Sequence, residues 1–184
     1  SEIIIEAATG AGMFYGIQSL RMTIPPYLWA RVQKSVPVPA IRVEDAPRFS
    51  HRAFMLDVVR NFHSKQQLKK IIDLLALYKI NVLHLHFSDD EGWRVEIPSL
   101  PELTQVGARR GHSATEENFL QPAFGSGPEV ISLTGSGHYS RTDFVELLRY
   151  ATVRHVRIIP EIESPGHARA AIKAMKARYT RLMK

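Results

Sequence analysis

Three times between Ala53 and Met183 a short apolar run gives way, at once or after a loop, to a segment whose apolar residues recur at helical spacing. Ala53-Phe54-Met55-Leu56-Asp57-Val58-Val59 is nearly continuous rather than alternating, the mark of a strand buried on both faces in a parallel sheet. Ser64 with Gln67 three residues on forms a capping box, and Leu68, Ile71, Ile72 and Leu75 follow at i, i+3, i+4 and i+7, predicting a helix of about 15 residues. Ile80 to Phe87 reads as the second buried strand. Ser140 and Asp143 cap a helix with Phe144, Leu147, Leu148 and Ala151 inward. Val156 to Pro160 is a third strand and Ala168 to Met183 a third helix. Such a succession requires right-handed crossovers, so the class is α/β with a parallel sheet. The stretch from Pro98 to Tyr139, rich in Gly, Pro and Ser, is too long for a passive connection, and loops of that size usually form lids or inserted pieces.

What precedes Ala53 reads differently. Ser1 to Ala8, with Ile3-Ile4-Ile5, predicts a strand; Thr9 to Gly12 is a turn; Met13 to Arg21 carries Phe14, Ile17 and Leu20 at helical spacing. Pro25-Pro26 stops that helix, and Val36-Pro37-Val38-Pro39 is extended because proline fixes φ and disfavours helix before it. Ile41 to Asp45 alternates like a short edge strand. A boundary near residue 46 follows. Residues 1–45 are too few for a complete domain and read as the tail of one, with residues 46–184 the start of another.

At 184 residues, with 45% hydrophobic and 23% charged residues, the chain has enough material for one ordinary core. No apolar run approaches the roughly 18 residues of a membrane span, and no basic-then-apolar leader opens the chain. Cysteine is absent, which excludes disulfides, zinc-thiolate sites and thiol nucleophiles. The net charge of +6 draws much of its excess from Arg169, Lys173, Lys176, Arg178, Arg181 and Lys184. These are spread around the last helix without interleaved aromatics, so a solvated face is expected rather than a nucleic-acid surface.

Each of the three strands runs into residues with chemistry. The first ends in Arg60-Asn61-Phe62-His63, the second in Asp89-Asp90-Glu91, the third in Glu161-Ile162-Glu163-Ser164-Pro165-Gly166-His167. In a parallel sheet these ends share one rim, where ligands bind. Three consecutive carboxylates repel unless donors or cations compensate. An arginine fork beside carboxylates suits a polyhydroxylated ligand. His167 stands after a Pro-Gly turn, where a carboxylate would fix its tautomer. Asp57 reads as a buried structural hydrogen-bonder, Arg52 as structural, and His84 and His86 as packing residues on one strand face. Glu161 is left facing either way. His84-x-His86 with Asp89 and His167 also allows a metal reading, but that spacing is common by accident and no metal is expected.

The blocks Arg48 to Phe62, His84 to Ile97, Pro101 to Gly107 and Ile159 to His167, in this order, resemble the family 20 glycoside hydrolases, the β-N-acetylhexosaminidases, and Met13 to Leu20 is similar to the end of that family's small α/β domain. The resemblance implies a partial (β/α)8 TIM barrel, about its first three βα units, preceded by the tail of the accessory domain. It implies removal of terminal N-acetylhexosamine from glycans or chitin fragments, with the substrate's own acetamide oxygen as nucleophile. Arg60 resembles the arginine that grips ring hydroxyls. Asp89 is similar to the carboxylate that pairs with the histidine at His167, which supports the catalytic acid. Glu163 stands where many members have aspartate, one methylene shorter, so it is expected to bind substrate with altered reach.

The family's Gly-Gly-Asp-Glu block, with its acid and its acetamide-orienting aspartate, is not among these residues. The resemblance therefore implies a fragment that is inert alone, from a secreted or periplasmic parent acting on N-acetylhexosamine-terminated glycan without a cofactor. Open sheet edges predict a homo-oligomer.

Overall fold

The computed structural model of the chain describes residues 2–131 and 134–184; Ser1 of the expected first strand, and Ser132 and Leu133 of the long loop, lie outside them. Three parallel strands form the centre: β1 (Ala53–Asp57), β2 (Val82–His86) and β5 (Arg157–Glu161), in the order β1-β2-β5. Helix α2 (Lys65–Leu77) links β1 to β2, and α4 (Arg141–Thr152) leads into β5. Both pack on one face of the sheet. Leu68, Ile72 and Leu75 of α2, Leu147 and Ala151 of α4, Leu83 and Leu85 of β2, Phe87, Val156 and Ile158 make one buried cluster.

Both expected capping boxes form. Ser64 Oγ accepts from Gln67 N (3.3 Å) while Gln67 Oε1 accepts from Ser64 N (2.6 Å). Ser140 Oγ accepts from Asp143 N (3.0 Å) and Asp143 Oδ2 from Ser140 N (3.1 Å). Lys65 Nζ sits 2.6 Å from Asp143 Oδ1 and holds that carboxyl down at about 2, tying α2 to α4. Replacing Ser140 by alanine is expected to cost about 1 kcal/mol of stability, read as a lower urea midpoint at unchanged m-value; an unmoved midpoint would deny the cap its contribution.

The expected burial of the strands on both faces is corrected. β2 is the central strand, but β1 and β5 are its flanks, and Phe54 (43%), Met55 (55%) and Ile159 (36%) are exposed. Continuous apolarity reports that a strand needs covering on two sides; it does not supply the cover. The strands at residues 1–8 and 41–45 are also absent among the described residues. A strand exists only where a neighbouring backbone accepts its hydrogen bonds, and neither segment is paired in a sheet among the described residues. Helix α1 (Gly10–Met22) starts earlier than the expected Met13, because Thr9 Oγ1 caps it by accepting from Gly12 N. Its Phe14 ring meets His155, 5.2 Å between centroids, at the turn before β5.

After β2 a two-stranded hairpin, β3 (Ser88–Asp89) and β4 (Gly92–Trp93), turns through Asp90-Glu91. The long loop that follows holds one short helix, α3 (Glu102–Gln105). Trp93, Leu103 and Val106 pack there against Ala174 of α5 (Arg169–Leu182). The solvated basic face expected on α5 is corrected in part. Arg169 and Lys173 pair with Glu116, and Arg178 and Arg181 with Glu102, both carboxylates being nearly buried. Acids on the loop, remote in sequence, pair with those four cations, while Lys176 and Lys184 stay exposed.

Candidate active site

Parity along the strands builds the site. Leu83, Leu85 and Phe87 face the helices, so His84 and His86 face the other way, onto the opposite side of the sheet. Parallel register sets Asp57 beside His86 and His86 beside Glu161. One layer below, Met55, His84 and Ile159 stand in a row. The carboxyl end of the sheet therefore carries an Asp-His-Glu row above a Met-His-Ile one.

Arg60 crosses that row. Its Nη1 is 2.7 Å from Asp57 Oδ2, its Nη2 2.7 Å from Asp89 Oδ2, and its Nε 3.3 Å from Glu91 Oε2. The Glu91 contact is close enough for charge but not aligned as a hydrogen bond, and Oε2 is otherwise unpartnered among the described residues. Burial works against the Arg60 charge, but Asp57, Asp89 and Glu91 together outweigh it and hold the proton more firmly than usual. Asp57 is half-buried at the strand end, not the buried mid-strand residue expected. Its Oδ1 accepts from Val59 N (2.8 Å) and Arg60 N (3.1 Å). These bonds and Arg60, against the opposing effect of burial, keep the Asp57 carboxyl below its ordinary value.

His86 has a carboxylate at each nitrogen: Glu161 Oε2 at 2.9 Å from Nδ1 and Asp89 Oδ2 at 2.8 Å from Nε2. Burial would lower its pKa, but donation to Glu161 and Asp89 wins and raises it above 6.5. An imidazolium donating to both fits this better than either neutral tautomer. Arg60 Nη1, 3.1 Å from Nε2, is then a neighbouring cation rather than a donor to the ring. His84 Nε2 lies 2.8 Å from the same Glu161 oxygen. The bonds to His86 and His84 overcome burial to lower the Glu161 pKa. The packing role expected of the two histidines is corrected: both hydrogen-bond Glu161 and orient its carboxylate.

Asp89, 4% exposed at its side chain, also faces His167, with Nδ1 3.4 Å from its Oδ1. The His167 ring is open, and its φ of 49° lies in the left-handed region, a conformation that clusters at functional sites. Glu163 N donates to Ser88 Oγ at 2.8 Å, placing its carboxylate near His86 and Glu161. Arg60, Asp89, His167 and Glu163 are thus brought to one rim.

Two groups, His86-Glu161-Glu163 and Asp89-Asp90-His167, have ligand-type atoms within 4.8 Å of one another. Arg60 and the His86 imidazolium already neutralise Asp89 and Glu161, so an added cation would meet two resident positive charges. The geometry instead offers a fixed guanidinium and several acceptors to a neutral, hydroxyl-rich molecule.

The family model described as glycosyl hydrolase family 20, catalytic domain, matches residues 49–184. The chain belongs to glycosyl hydrolase family 20. It is 49% identical over 98% of its length to N,N'-diacetylchitobiase of Vibrio harveyi, and 44% identical over its whole length to a β-hexosaminidase of Vibrio vulnificus. It spans about a fifth of those relatives, 20% and 21%. Among solved structures it is similar to an exo-β-N-acetylglucosaminidase of Vibrio harveyi in complex with N-acetylglucosamine, with a TM-score of 0.74, 36% identity, and coverage of 92% of this chain and 25% of that one. A Streptomyces plicatus N-acetyl-β-hexosaminidase gives a TM-score of 0.74 at 38% identity, covering 90% of this chain and 30% of that one. The three parallel βα units are thus part of a (β/α)8 barrel in a family 20 catalytic domain. Sequence reading missed His86 and Glu161 in this family 20 rim, although the parity of Leu83, Leu85 and Phe87 was a signal that would have turned both histidines away from the helices.

Proposed function

We propose that this chain carries the sugar-gripping part of a β-N-acetylhexosaminidase, which removes terminal N-acetylhexosamine by substrate-assisted, retaining hydrolysis. The observation that carries it is Arg60, half-buried, shared by three carboxylates and set in the rim beside the Asp89 and His167 pair. In this reading the Arg60 fork binds ring hydroxyls, and Glu163 contacts the sugar from the neighbouring strand end. Asp89 holds His167, whose exposed ring supports the catalytic acid's proton. The acetamide oxygen attacks the anomeric carbon as that acid protonates the leaving oxygen. Residues 1–45 are read as the closing part of an accessory domain and 46–184 as the first part of the barrel, in a protein exported to its glycan substrates. No helix among the described residues is long and apolar enough to cross a membrane.

The full-length gene product is expected to cleave a chromogenic β-N-acetylglucosaminide and not the matching β-glucoside, since the nucleophile is the acetamide itself. Equal cleavage of both would sink the substrate-assisted reading. The 184-residue chain alone is expected to cleave neither, because positioning and acid-base chemistry each supply about 10² or more in rate. It is also expected to self-associate through the open face around Met55 and Ile159; a monodisperse monomer in sedimentation at micromolar concentration would contradict that.

A further inference from the structure

Two arginines, Arg94 just after β4 and Arg110 of the long loop, have no part in the reading above. Arg94 and Arg110 are both fully buried (0% exposed), and no carboxylate among the described residues forms an ion pair with either. Main-chain carbonyls hold them instead. Arg94 Nη2 donates to Val59 O (2.6 Å) and Gly135 O (3.0 Å), and Nη1 to Gly137 O (3.0 Å) and Ala108 O (3.2 Å). Arg110 Nη2 donates to Arg60 O (2.7 Å) and Thr134 O (3.3 Å).

Such an arrangement is expensive in charge. Burial first, and the Arg110 charge beside it, draw Arg94 down to about 9; burial lowers Arg110 as well. Arg94 Nε and Arg110 Nε and Nη1 find no hydrogen-bond partner among the described residues. Two unpaired buried cations lower stability relative to apolar packing, so their placement calls for another account.

Their targets supply it. Val59 and Arg60 are consecutive, and the carbonyl of each receives one buried guanidinium. The amide of each donates to Asp57 Oδ1. All four backbone groups of the 59–60 pair are therefore fixed, two from the strand end and two from the loop. Gly137, at φ 148°, lets the loop pass where a Cβ would run into the Phe62 ring. We propose that Arg94 and Arg110 are positioning residues that clamp the 59–60 main chain and so aim the Arg60 guanidinium at the sugar. The inference rests on the sugar-binding reading of Arg60.

Lysine keeps the charge of arginine but not its fork. In the full-length protein Arg110→Lys is expected to raise KM for the N-acetylglucosaminide about tenfold with kcat within about twofold, the pattern of lost uniform binding. In an Arg60→Ala background the same change is expected to move KM by less than about twofold, because the group it aims is gone. In a crystal structure of Arg110→Lys the Arg60 guanidinium should leave Asp89. Equal KM increases in both backgrounds, or an Arg60 fork still seated on Asp89, would overturn the proposal. If Arg110→Lys does not fold, Ser136→Ala serves: its Oγ accepts from Arg110 N at 2.9 Å, and its loss should raise KM about two- to threefold in the same direction, an unchanged KM counting against the clamp. Should the unaltered protein ignore the acetamido sugar, the functional reading fails, while the position of Arg60 in the variant structure still decides this one.

Discussion

Arg60→Ala is expected to lower kcat/KM of the full-length protein for an N-acetylglucosaminide by about 10² to 10³. A charge-assisted hydrogen bond contributes roughly 1.5–3 kcal/mol, and a guanidinium fork makes two. The loss reaches beyond the sugar. Asp57, Asp89 and Glu91 share this cation at 2.7, 2.7 and 3.3 Å, and without it three carboxylates are left to repel one another across the rim. Arg60→Lys should recover little, since a single ammonium cannot span Asp57 and Asp89 while also presenting an edge to the ligand. Steady-state kinetics beside the unaltered protein decide it, and a variant within about threefold of the parent would remove Arg60 from the sugar site.

The parts of the fold governed by local rules were legible in the sequence. Ser64 with Gln67, and Ser140 with Asp143, start α2 and α4 at the residues expected, because a capping box is settled within four residues. Arg60, Asp89, Glu163 and His167 meet at one rim because parallel strands must end together. What escaped was set across the chain. Whether His86 and Glu161 meet depends on the register of β2 against β5, which no spacing within either strand states. Arg94 and Arg110 resemble ordinary surface cations until the loop folds over them, and the pairing of the α5 cations escaped because Glu102 and Glu116 lie 53 residues or more upstream. The Ile3-Ile4-Ile5 run within residues 1–8 and the alternation at 41–45 announced strands that pair with nothing in a sheet among the described residues.

Asp89→Asn is expected to be the most destabilising conservative change in the site. The side chain is 4% exposed and lies 2.7 Å from Arg60 Nη2, 2.8 Å from His86 Nε2 and 3.4 Å from His167 Nδ1. The amide keeps the shape but removes the negative charge among three basic groups, and breaking a buried pair from one side costs about 3–5 kcal/mol. The pH dependence distinguishes this from simple misfit. The folded pKa of His86 is raised, burial being outweighed by Glu161 and Asp89. Its contribution is therefore fully present below about 6.5, the value in the unfolded chain, and is lost as pH rises through the higher folded value. Glu161, held low by the same imidazole against burial, contributes above its ordinary 4.5 and loses that as pH falls. Without Asp89 one of the two carboxylates that raise His86 is gone, so the alkaline loss should shrink and be complete nearer 6.5, while the acid limb, which depends on Glu161, persists. Urea unfolding of parent and variant at about pH 6 and about pH 9 measures both quantities. A variant whose stability falls between those values as steeply as the parent's would show that Asp89 does not hold the His86 proton.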